Sequence, residues 1–491
     1  MLSIAQMSGA GQGDYYLELA TEDYYLKGGE PPGVWEGKGA EELGLSGEVR
    51  AEDLKNILNG YSPDGSKELV QNAGKENRQS GWDLTFSAPK SVSTAWSQSE
   101  GEQRTAFQEA HKEAVKKALN YIENEAVTTR RGQGGTEKEK ANIAIATFEH
   151  GTSRAQDPSL HTHALVVNAG VRADGSTGSI ESRQIFSHKM AAGAVYRAEL
   201  AKRIENDQRL GIESEKTRTW FELKGVDKGL QTEFSKRRKE VEKELESSGF
   251  SGAKASKVAT LNTRKVKEHV PRDELFKQWQ KVGQEHNWSK KELKEITNKS
   301  PVRDIEKEKS EAFKASVDKI TQHQSHFSRR DLVRNVAEEA QGRGIGADDI
   351  FSSIEQNLAK NSEIIQLGRV NGELRYTTKE MLELESSMLE KVKQSKQSDT
   401  LKVSDKSLEK AFNSRSEISD EQKNAVVHIT QKTGSIQAVS GMAGTGKSFM
   451  LGAVKEAYEI EGKQVIGAAL SGKAAQGLEE GSGIKLSLIH I

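Results

Sequence analysis

The chain has 491 residues, enough for about two to four domains, and a formal net charge of −1 with 30% charged and 34% hydrophobic residues. It contains no cysteine, which excludes disulfides, thiolate metal sites and cysteine nucleophiles. The N-terminus lacks the basic start and apolar core of a signal peptide, and no run reaches the roughly 20 apolar residues of a membrane-spanning helix.

Two tyrosine pairs stand near the N-terminus, Tyr15-Tyr16 and Tyr24-Tyr25. The sequence LELATED between them favours a helix, so the pairs lie a little over two turns apart. Tyrosine is also a common core residue, so packing is an alternative role. Further on, GWDLTFSAP (81–89) is typical of a strand, in which Asp83 shares a face with Thr85 and points away from Leu84.

Residues 102–125 carry an amphipathic pattern that predicts a helix, and residues 190–207 predict another. Two strand pairs and two helices in this part of the chain indicate an α+β fold. We expect an antiparallel sheet flanked by helices.

Three histidines lie in two apolar runs separated by a polar turn at Asp157-Pro158. His161 and His163 are two residues apart, so on a strand both imidazoles leave the same face. His150 ends the preceding run, and an antiparallel pairing would bring the three rings together. Three imidazoles with open positions are typical of a catalytic metal site, while the alternative is ordinary sheet histidines.

The second half of the chain changes character several times. Residues 201–300 hold 24 basic and 17 acidic residues and are mostly helical, which suits a polyanion surface or a solvated helix face. The segment 301–387 predicts helices and a hairpin at Asn371-Gly372, a pattern typical of a winged-helix-like module. Residues 388–416 are polar and predict a linker.

Residues 417–485 have α/β patterning, with strands predicted at 435–440 and 464–470. Between them Gly441-Met442-Ala443-Gly444-Thr445-Gly446-Lys447-Ser448 matches the phosphate-binding loop G-x-x-x-x-G-K-[ST] in full. Such a loop cradles the phosphates of ATP while its lysine neutralises charge and its serine holds Mg²⁺. No second acidic motif follows, so we expect a truncated nucleotide-binding domain. The last six residues, 486–491, are expected to be an artificial tail.

The early tyrosines, Asp83 and the histidines together suggest one reaction. A phenol can attack a phosphodiester if a cation held by imidazoles masks the phosphate charge. Asp83 would either accept the phenol proton or orient a metal-bound imidazole. The product is a covalent phosphotyrosine, and two sets of tyrosines permit two successive strand transfers.

With these motifs the chain resembles the conjugative relaxases of the TrwC/TraI type, which are HUH endonucleases fused to a helicase. The resemblance rests on the N-terminal MLSI with both tyrosine pairs and on six further stretches: WEGKGAEELGLSGEV, DLTFSAPKSVS, FEHGTSRAQDPSLHTHALVVN, GAVYRAELA, SDEQKNAVV and GMAGTGKS. It implies domains at 1–300 (relaxase), 301–387 (connector), 388–416 (linker) and 417–485 (superfamily 1, RecD-like helicase fragment).

The resemblance also implies roles for individual residues. Tyr15 and Tyr24 match the nucleophile positions, and Tyr16 and Tyr25 remain alternatives within each pair. His150, His161 and His163 match the metal ligands, with Mg²⁺ or Mn²⁺ as the implied ion, and Asp83 matches the family's acid. Arg154 would contact a DNA phosphate or pair with Asp157. Gln422 would contact the adenine of ATP, alongside Gly441, Gly444, Thr445, Gly446, Lys447 and Ser448.

The activity so implied is nicking and rejoining of one DNA strand at a plasmid transfer origin, with the start of an ATP-dependent 5′–3′ helicase. The implied partners are single-stranded origin DNA, relaxosome accessory proteins and a type IV coupling protein. The implied location is the bacterial cytoplasm, followed by transfer to the recipient cell. The alternatives are a rolling-circle replication initiator, and a nucleotide-binding DNA-binding protein without nicking activity.

Overall fold

The structure is a computed structural model that describes residues 1–8, 30–214, 219–249, 251–263, 270–297, 301–396, 401–432, 434–442, 444–469 and 471–488. The chain divides into two compact units, Met1–Thr378 and Lys379–Ile491. Tyr15, Tyr16, Tyr24 and Tyr25 lie outside the described residues. Within the described ranges, none of the helices combines the length and apolar content needed to cross a membrane.

The first unit contains thirteen described strands and thirteen described α-helices. The strands are β1 (Leu2–Ser8), β2 (Val34–Glu36), β3 (Gln79–Ser87), β4 (Thr128–Arg131), β5 (Glu137–Lys140), β6 (Asn142–Thr152), β7 (Pro158–Val171), β8 (Thr177–Gly178), β9 (Ile212–Ser214), β10 (Phe221–Leu223), β11 (Phe327–Ser328), β12 (Ile364–Val370) and β13 (Glu373–Thr378). The helices are α1 (Lys38–Glu42), α2 (Ala51–Leu58), α3 (Lys90–Gln98), α4 (Gly101–Ala126), α5 (Ser182–Asp207), α6 (Lys228–Glu233), α7 (Lys236–Ser248), α8 (Ala253–Asn262), α9 (Arg272–Glu285), α10 (Lys290–Ile296), α11 (Ile305–Thr321), α12 (Arg329–Ala340) and α13 (Ala347–Lys360).

A central sheet organises this unit, with the strand order β1-β3-β7-β6-β2 and with β8 added to the end of β7. Every pairing in the sheet is antiparallel. The long β6–β7 pair lies in the interior, and the short strands lie at the edges. The predicted antiparallel sheet flanked by helices is confirmed.

The two faces of the sheet bury separate apolar layers, because successive side chains on a strand point to opposite sides. On one face Trp82, Leu84 and Phe86 pack with the long helices α4 and α5. On the other face Leu165 and Val167 pack with a smaller layer that includes α2. The amphipathic helix predicted at 102–125 is α4, and its predicted stripe is buried as expected at Phe107, Ala110, Ala114, Val115, Ala118, Leu119 and Ile122.

In the basic segment that starts at residue 228, the described residues form helices α6 to α10. Trp279 of α9 and Trp288 are only 3% and 6% exposed, so both belong to the core and neither presents a stacking surface to solvent. Trp96 of α3 contacts Phe276 and Trp279 edge-on or tilted, with centroid distances of 4.9 and 5.8 Å. These aromatic contacts attach α9 to the sheet layer.

Helices α11 to α13 and the sheet β11-β13-β12 complete the first unit. Helix α12 packs on α5, and its Leu332, Val333 and Val336 join the same apolar core as the central sheet. The hairpin predicted at Asn371-Gly372 is present between β12 and β13. Residues 1–300 and 301–378 are thus packed together, and the division expected at residue 300 stays a prediction about domain organisation.

The second unit differs from the predicted linker over 388–416. Helix α14 (Lys379–Ser395) occupies its start, and helix α15 (Asp405–Asn413) follows further along. The side chain of Ser404 caps α15, and Leu408 and Ala411 are buried at helical spacing. The polar composition had concealed this short amphipathic pattern.

The rest of this unit consists of α16 (Asp420–Gln431), α17 (Lys447–Ile460), β14 (Gly467–Ala469), α18 (Gly472–Ser482) and β15 (Leu486–Leu488). No strand forms among the described residues at 435–440, where one was predicted, and the strand predicted at 464–470 is reduced to β14. Strand β15 pairs in parallel with β14, so residues 486–488 of the expected artificial tail take part in a sheet. The shortened strands reflect the few neighbours available for pairing in this unit.

Candidate metal centre

The β6–β7 hairpin brings the three predicted histidines together. His150 is the cross-strand partner of His161, and His163 lies two residues further along β7 on the same face. The pairing shifts register between His150 and Thr152, next to the site. The spacing of the histidines and the antiparallel pairing thus place all three rings at one end of the smaller apolar layer.

The imidazole rings form a compact triangle. Their centroids are 5.3 Å (His150 to His161), 5.2 Å (His150 to His163) and 5.2 Å (His161 to His163) apart. One nitrogen from each ring lies within 4.8 Å of the others. His150 is buried, whereas His161 and His163 are partly exposed, so a bound ion would be reached from the side of the latter two.

Two of the rings are held by hydrogen bonds that select a tautomer. His163 Nδ1 lies 2.8 Å from Asp83 Oδ2, and His161 Nδ1 lies 2.7 Å from the carbonyl oxygen of Ser159. A carbonyl or an ionised carboxylate only accepts, so each Nδ1 carries the proton and each Nε2 keeps the lone pair that binds a metal. This donor set fits a divalent cation.

Asp83 contacts the histidine cluster through His163, the contact that its predicted role of orienting an imidazole requires. It lies on β3 opposite Leu165, on the face of the sheet that carries His163, and it is 5% exposed. As predicted, Asp83 lies on the same face of β3 as Thr85 and on the opposite face from Leu84. A carboxylate in such a contact is able to orient a metal-binding imidazole and to raise its basicity.

The Asp83 contact leads to a graded prediction. Asp83→Asn keeps an acceptor for His163 Nδ1 but removes the negative charge, and Asp83→Ala removes both. We expect the Kd for Mn²⁺ to rise about 10-fold in Asp83→Ala and by a smaller factor in Asp83→Asn. Calorimetric titration of Mn²⁺ into each full-length variant measures this. Equal affinity in all three proteins would contradict the orienting role.

A buried histidine that the sequence analysis missed packs against the opposite face of β7. His111 of α4 lies between Tyr196 (Nδ1 to phenol oxygen, 2.8 Å) and Thr162 (Nε2 to Oγ1, 2.9 Å). Burial lowers the pKa of His111 to about 3, so the ring is neutral. Thr162 lies between His161 and His163 in β7, so this network holds the strand on the face opposite to these two histidines. No sequence pattern marks it, because the three residues come from distant segments.

A second tyrosine–histidine pair joins α4 to α5 and makes stability depend on pH. His188 Nδ1 lies 2.8 Å from the Tyr121 hydroxyl, and burial lowers the pKa of His188 to about 4. The unfolded chain binds this proton near pH 6.5 and the folded chain does not, so the stability contribution is complete above 6.5 and is lost as the pH falls towards 4.

We expect His188→Gln to lose less stability on acidification than the parent, because glutamine does not titrate. The free energy of unfolding of His188→Gln minus that of the parent should be about 2 kcal/mol more positive at pH 5 than at pH 7. Urea unfolding at both pH values measures it. His111 titrates in the same direction in both proteins and therefore cancels. A constant difference between the two proteins would show that His188 is not buried as a neutral ring.

Arg154 lies in the tight turn that joins β6 to β7, close to the metal centre in sequence and partly buried. The turn is attached to its surroundings at several points. Lys90 Nζ donates to the carbonyl of Pro158 at 2.9 Å, and Trp279 Nε1 donates to the carbonyl of Gln156 at 2.9 Å. Burial lowers the pKa of Lys90 to about 8, while the nearby Asp157 opposes this shift.

The predicted phosphate-binding loop lies in the second unit, immediately before α17. Gly446 has a φ of 74° immediately before α17, and Lys447 Nζ donates to the carbonyl oxygens of Gly441 and Met442. Gln422 Nε2 lies 3.2 Å from the carbonyl of Thr445, so the predicted adenine contact lies beside the loop. Gly444 also has a positive φ, and Ser448 lies in the first turn of α17; Ala443 lies outside the described residues.

Two family models match the chain. The TrwC relaxase model matches residues 10–286, and an AAA domain model matches residues 417–490. Among curated proteins, the multifunctional conjugation protein TraI of Escherichia coli K12 is 35% identical over 302 residues, covering 58% of this chain and 16% of TraI. A probable conjugal transfer protein TraA of Sinorhizobium fredii is 34% identical over 176 residues, which is 34% of this chain and 15% of TraA.

Solved structures agree with these matches. The conjugative relaxase TrwC in complex with oriT DNA, in a copper-bound form, aligns with a TM-score of 0.53 and 31% identity, covering 59% of this chain and 99% of that one. A metal-free form of the same kind of complex aligns with a TM-score of 0.53 and 29% identity over the same shares. The relaxase model alone accounts for more than half of the sequence. The chain therefore belongs to the TrwC relaxase family.

Proposed function

We propose that this protein nicks and rejoins one strand of DNA at a plasmid transfer origin, through a metal-dependent reaction that passes through a 5′-phosphotyrosine. The observation that carries the proposal is the triangle of His150, His161 and His163, with Asp83 holding His163, in a member of the TrwC relaxase family. The chain spans 16% of the length of TraI. The proposal therefore concerns the activity of this chain and not that of the whole of TraI.

The chemistry follows from the side chains. A divalent cation held by the three imidazoles, Mg²⁺ or Mn²⁺, would draw charge from the non-bridging oxygens of the scissile phosphate. The phenol oxygen of Tyr15 forms a bond to phosphorus, and the bond from phosphorus to the 3′ oxygen breaks. The phenol proton leaves to a base, and the 3′ oxygen departs as a hydroxyl after taking up a proton. Reversing these steps rejoins the strand.

Glu30, the first described residue after the segment that carries the tyrosine pairs, lies beside the proposed metal centre. Glu30 Oε1 accepts a hydrogen bond at 3.0 Å from the backbone N–H of Gly151, the residue after His150. Tyr24 and Tyr25 precede Glu30 by six and five residues in the sequence, a separation that extended chain spans in at most about 22 Å, which supports a role for this pair at the centre. Tyr24 would serve the second strand transfer.

The single-stranded substrate requires a basic path to this centre. Arg154 in the β6–β7 turn would contact a phosphate, and the helices of 229–300 would close over the strand as a thumb. Their excess of basic residues supports this arrangement. The alternative for Arg154, pairing with Asp157, predicts that Arg154→Ala leaves DNA affinity unchanged.

The proposal is tested with labelled oligonucleotides and Mn²⁺. A transfer-origin oligonucleotide from the same plasmid should give a nick and an adduct between protein and DNA that survives SDS. Cleavage of a replication-origin oligonucleotide instead would identify a rolling-circle initiator. DNA binding with neither a nick nor an adduct, in the presence of Mn²⁺, would leave a DNA-binding protein and overturn the proposal.

We also propose that the second unit binds ATP with Mg²⁺ as the first part of a RecD-like superfamily 1 helicase. The conformation of Gly446 and the contact between Gln422 and the loop support this. We expect Lys447→Met to weaken ATP binding at least about 10-fold, because the lysine balances phosphate charge. Equilibrium titration with fluorescent ATP measures it. Lys473→Met is the matched control, and equal loss in both variants would contradict the assignment.

The remaining parts of the proposal concern organisation and partners. The order of helices and strands in 305–378 supports a winged-helix-like module. By membership of the relaxase family we infer relaxosome accessory proteins and a type IV coupling protein as partners. We further infer action in the bacterial cytoplasm followed by transfer to the recipient cell.

A further inference from the structure

A buried charge cluster lies directly beside the metal centre and has no part in the chemistry described so far. Arg272, at the start of α9, is 10% exposed in its side chain. Its Nη1 lies 3.0 Å from Glu30 Oε2, and its Nη2 lies 3.3 Å from Glu149 Oε1. The two carboxylates are 9% and 14% exposed. One guanidinium thus bridges two acids that are far from it in sequence.

The cluster holds both neighbours of a metal ligand. Glu149 precedes His150 on β6 and is paired with Arg272, and its Oε1 also accepts from Gln108 Nε2 at 2.9 Å. Gly151 follows His150, and its backbone N–H donates to Glu30. Arg272 therefore holds the residues on both sides of His150. It pairs directly with Glu149, and it pairs with Glu30, which accepts from the N–H of Gly151.

The position of Gly151 leaves the strand little freedom to compensate. A Cβ at Gly151 would lie 2.7 Å from the Trp96 ring, so the backbone at this point touches the aromatic side chain. Trp96 also faces the Arg272 guanidinium at 5.2 Å. The register shift after His150 interrupts regular pairing at the same place. The strand therefore depends on these side-chain contacts for its position.

Helix α9 is attached to the metal-bearing hairpin at two points. Arg272 holds the His150 end of β6, and Trp279, two turns later, donates to Gln156 in the turn. Glu30 directly follows the segment 9–29, which carries the four tyrosines. Arg272 thus joins three parts of the proposed machinery: the end of the nucleophile segment, the strand of a metal ligand and a helix of the thumb.

We propose that Arg272 is a positioning residue, which sets the affinity of the histidine centre for its metal by holding His150 between Glu149 and Glu30. This inference rests on the proposed function only in taking the histidine triangle as the metal site. Removal of the guanidinium leaves two buried carboxylates uncompensated and close together, so they separate or take up water and shift the strand. Lysine offers a single point charge and cannot hold both acids as the planar guanidinium does.

The test is calorimetric titration of Mn²⁺ into the full-length protein and three variants. We expect the Kd for Mn²⁺ to rise about 10-fold in Arg272→Met, the lower end of the range for groups that support a metal ligand, and by a smaller factor of about 3 in Arg272→Lys and in Glu30→Gln, which keep part of the contacts. Glu30→Gln keeps an acceptor for Gly151 and removes only the charge. Arg369→Met is the control, since Arg369 is exposed in the β12–β13 hairpin, donates to the carbonyl of Gly372 and should leave the Kd unchanged.

Two further measurements separate a positioning role from loss of structure. The nicking deficit of each Arg272 variant should shrink as Mn²⁺ is raised to saturation, and the thermal midpoint of Arg272→Lys should stay near that of the parent. If Arg272→Met fails to fold, the Arg272→Lys and Glu30→Gln titrations decide the matter. Parent-like Kd values in those two variants would overturn the proposal. Failure of the parent itself to bind Mn²⁺ or to nick would instead reject the metal centre and the proposed function.

Discussion

A chain in which Tyr15, Tyr16, Tyr24 and Tyr25 are all phenylalanine should form no covalent adduct with transfer-origin DNA. Nicking should fall by at least about 10⁴-fold, as expected when a covalent nucleophile is removed. Phenylalanine keeps the ring and its packing but has no oxygen to bond to phosphorus. Gel analysis of the SDS-resistant adduct and of the nicked strand measures both outcomes.

Smaller sets of substitutions assign the nucleophiles within the pairs. Tyr15→Phe should remove the first adduct, and Tyr24→Phe should leave it but prevent the second strand transfer. An adduct that persists after Tyr15→Phe is combined with Tyr24→Phe would reject this assignment in favour of Tyr16 and Tyr25. Tyr61→Phe serves as the control, because Tyr61 is outside the proposed machinery and should leave the adduct unchanged.

Loss of an imidazole from the metal centre should have an effect almost as large. We expect His161→Ala and His163→Ala each to raise the Kd for Mn²⁺ at least about 10²-fold, beyond the effect of a supporting group. Nicking should fall about 10³-fold, since charge stabilisation by a metal contributes several kcal/mol to the transition state. Calorimetry and the oligonucleotide assay measure the two quantities separately.

The affinity for origin DNA separates these effects from misfolding. Both histidine variants should bind the single strand within about 3-fold of the parent, because most of the binding free energy comes from backbone contacts elsewhere. His323→Ala, at an exposed position, is the matched control. Removal of metal with EDTA should reproduce the defect in the parent, and added Mn²⁺ should reverse it. Parent-like nicking by His163→Ala would reject the metal centre.

The sequence predicts those parts of the site that depend on local periodicity. The spacing of His161 and His163, the parity of Asp83 and the turn after His150 are enough to place four side chains together, because strand geometry fixes which residues share a face. The phosphate-binding loop is likewise contained in eight consecutive residues. Local rules also identify the stripe of α4.

The sequence does not reveal the contacts that depend on tertiary packing. Arg272 meets Glu149 across 123 residues, and His111 meets Tyr196 across 85, and no pattern marks either pair. Composition also misled the prediction of a linker, because α15 buries only a few small or apolar residues. The shortened strands of the second unit have the same origin, since strands form only where partners are available.

The burial of helix α5 limits where the chain is cut to make a shorter fragment. Its residues 191–201 are buried without interruption, and a helix covered on every side needs neighbours on more than one side. The central sheet covers one side, and α12 covers another. A fragment that ends at residue 300 would lack α12 and would expose an apolar face of α5 to solvent. Such a fragment should aggregate on expression. A fragment that ends after residue 378 retains α12, so this face of α5 stays buried.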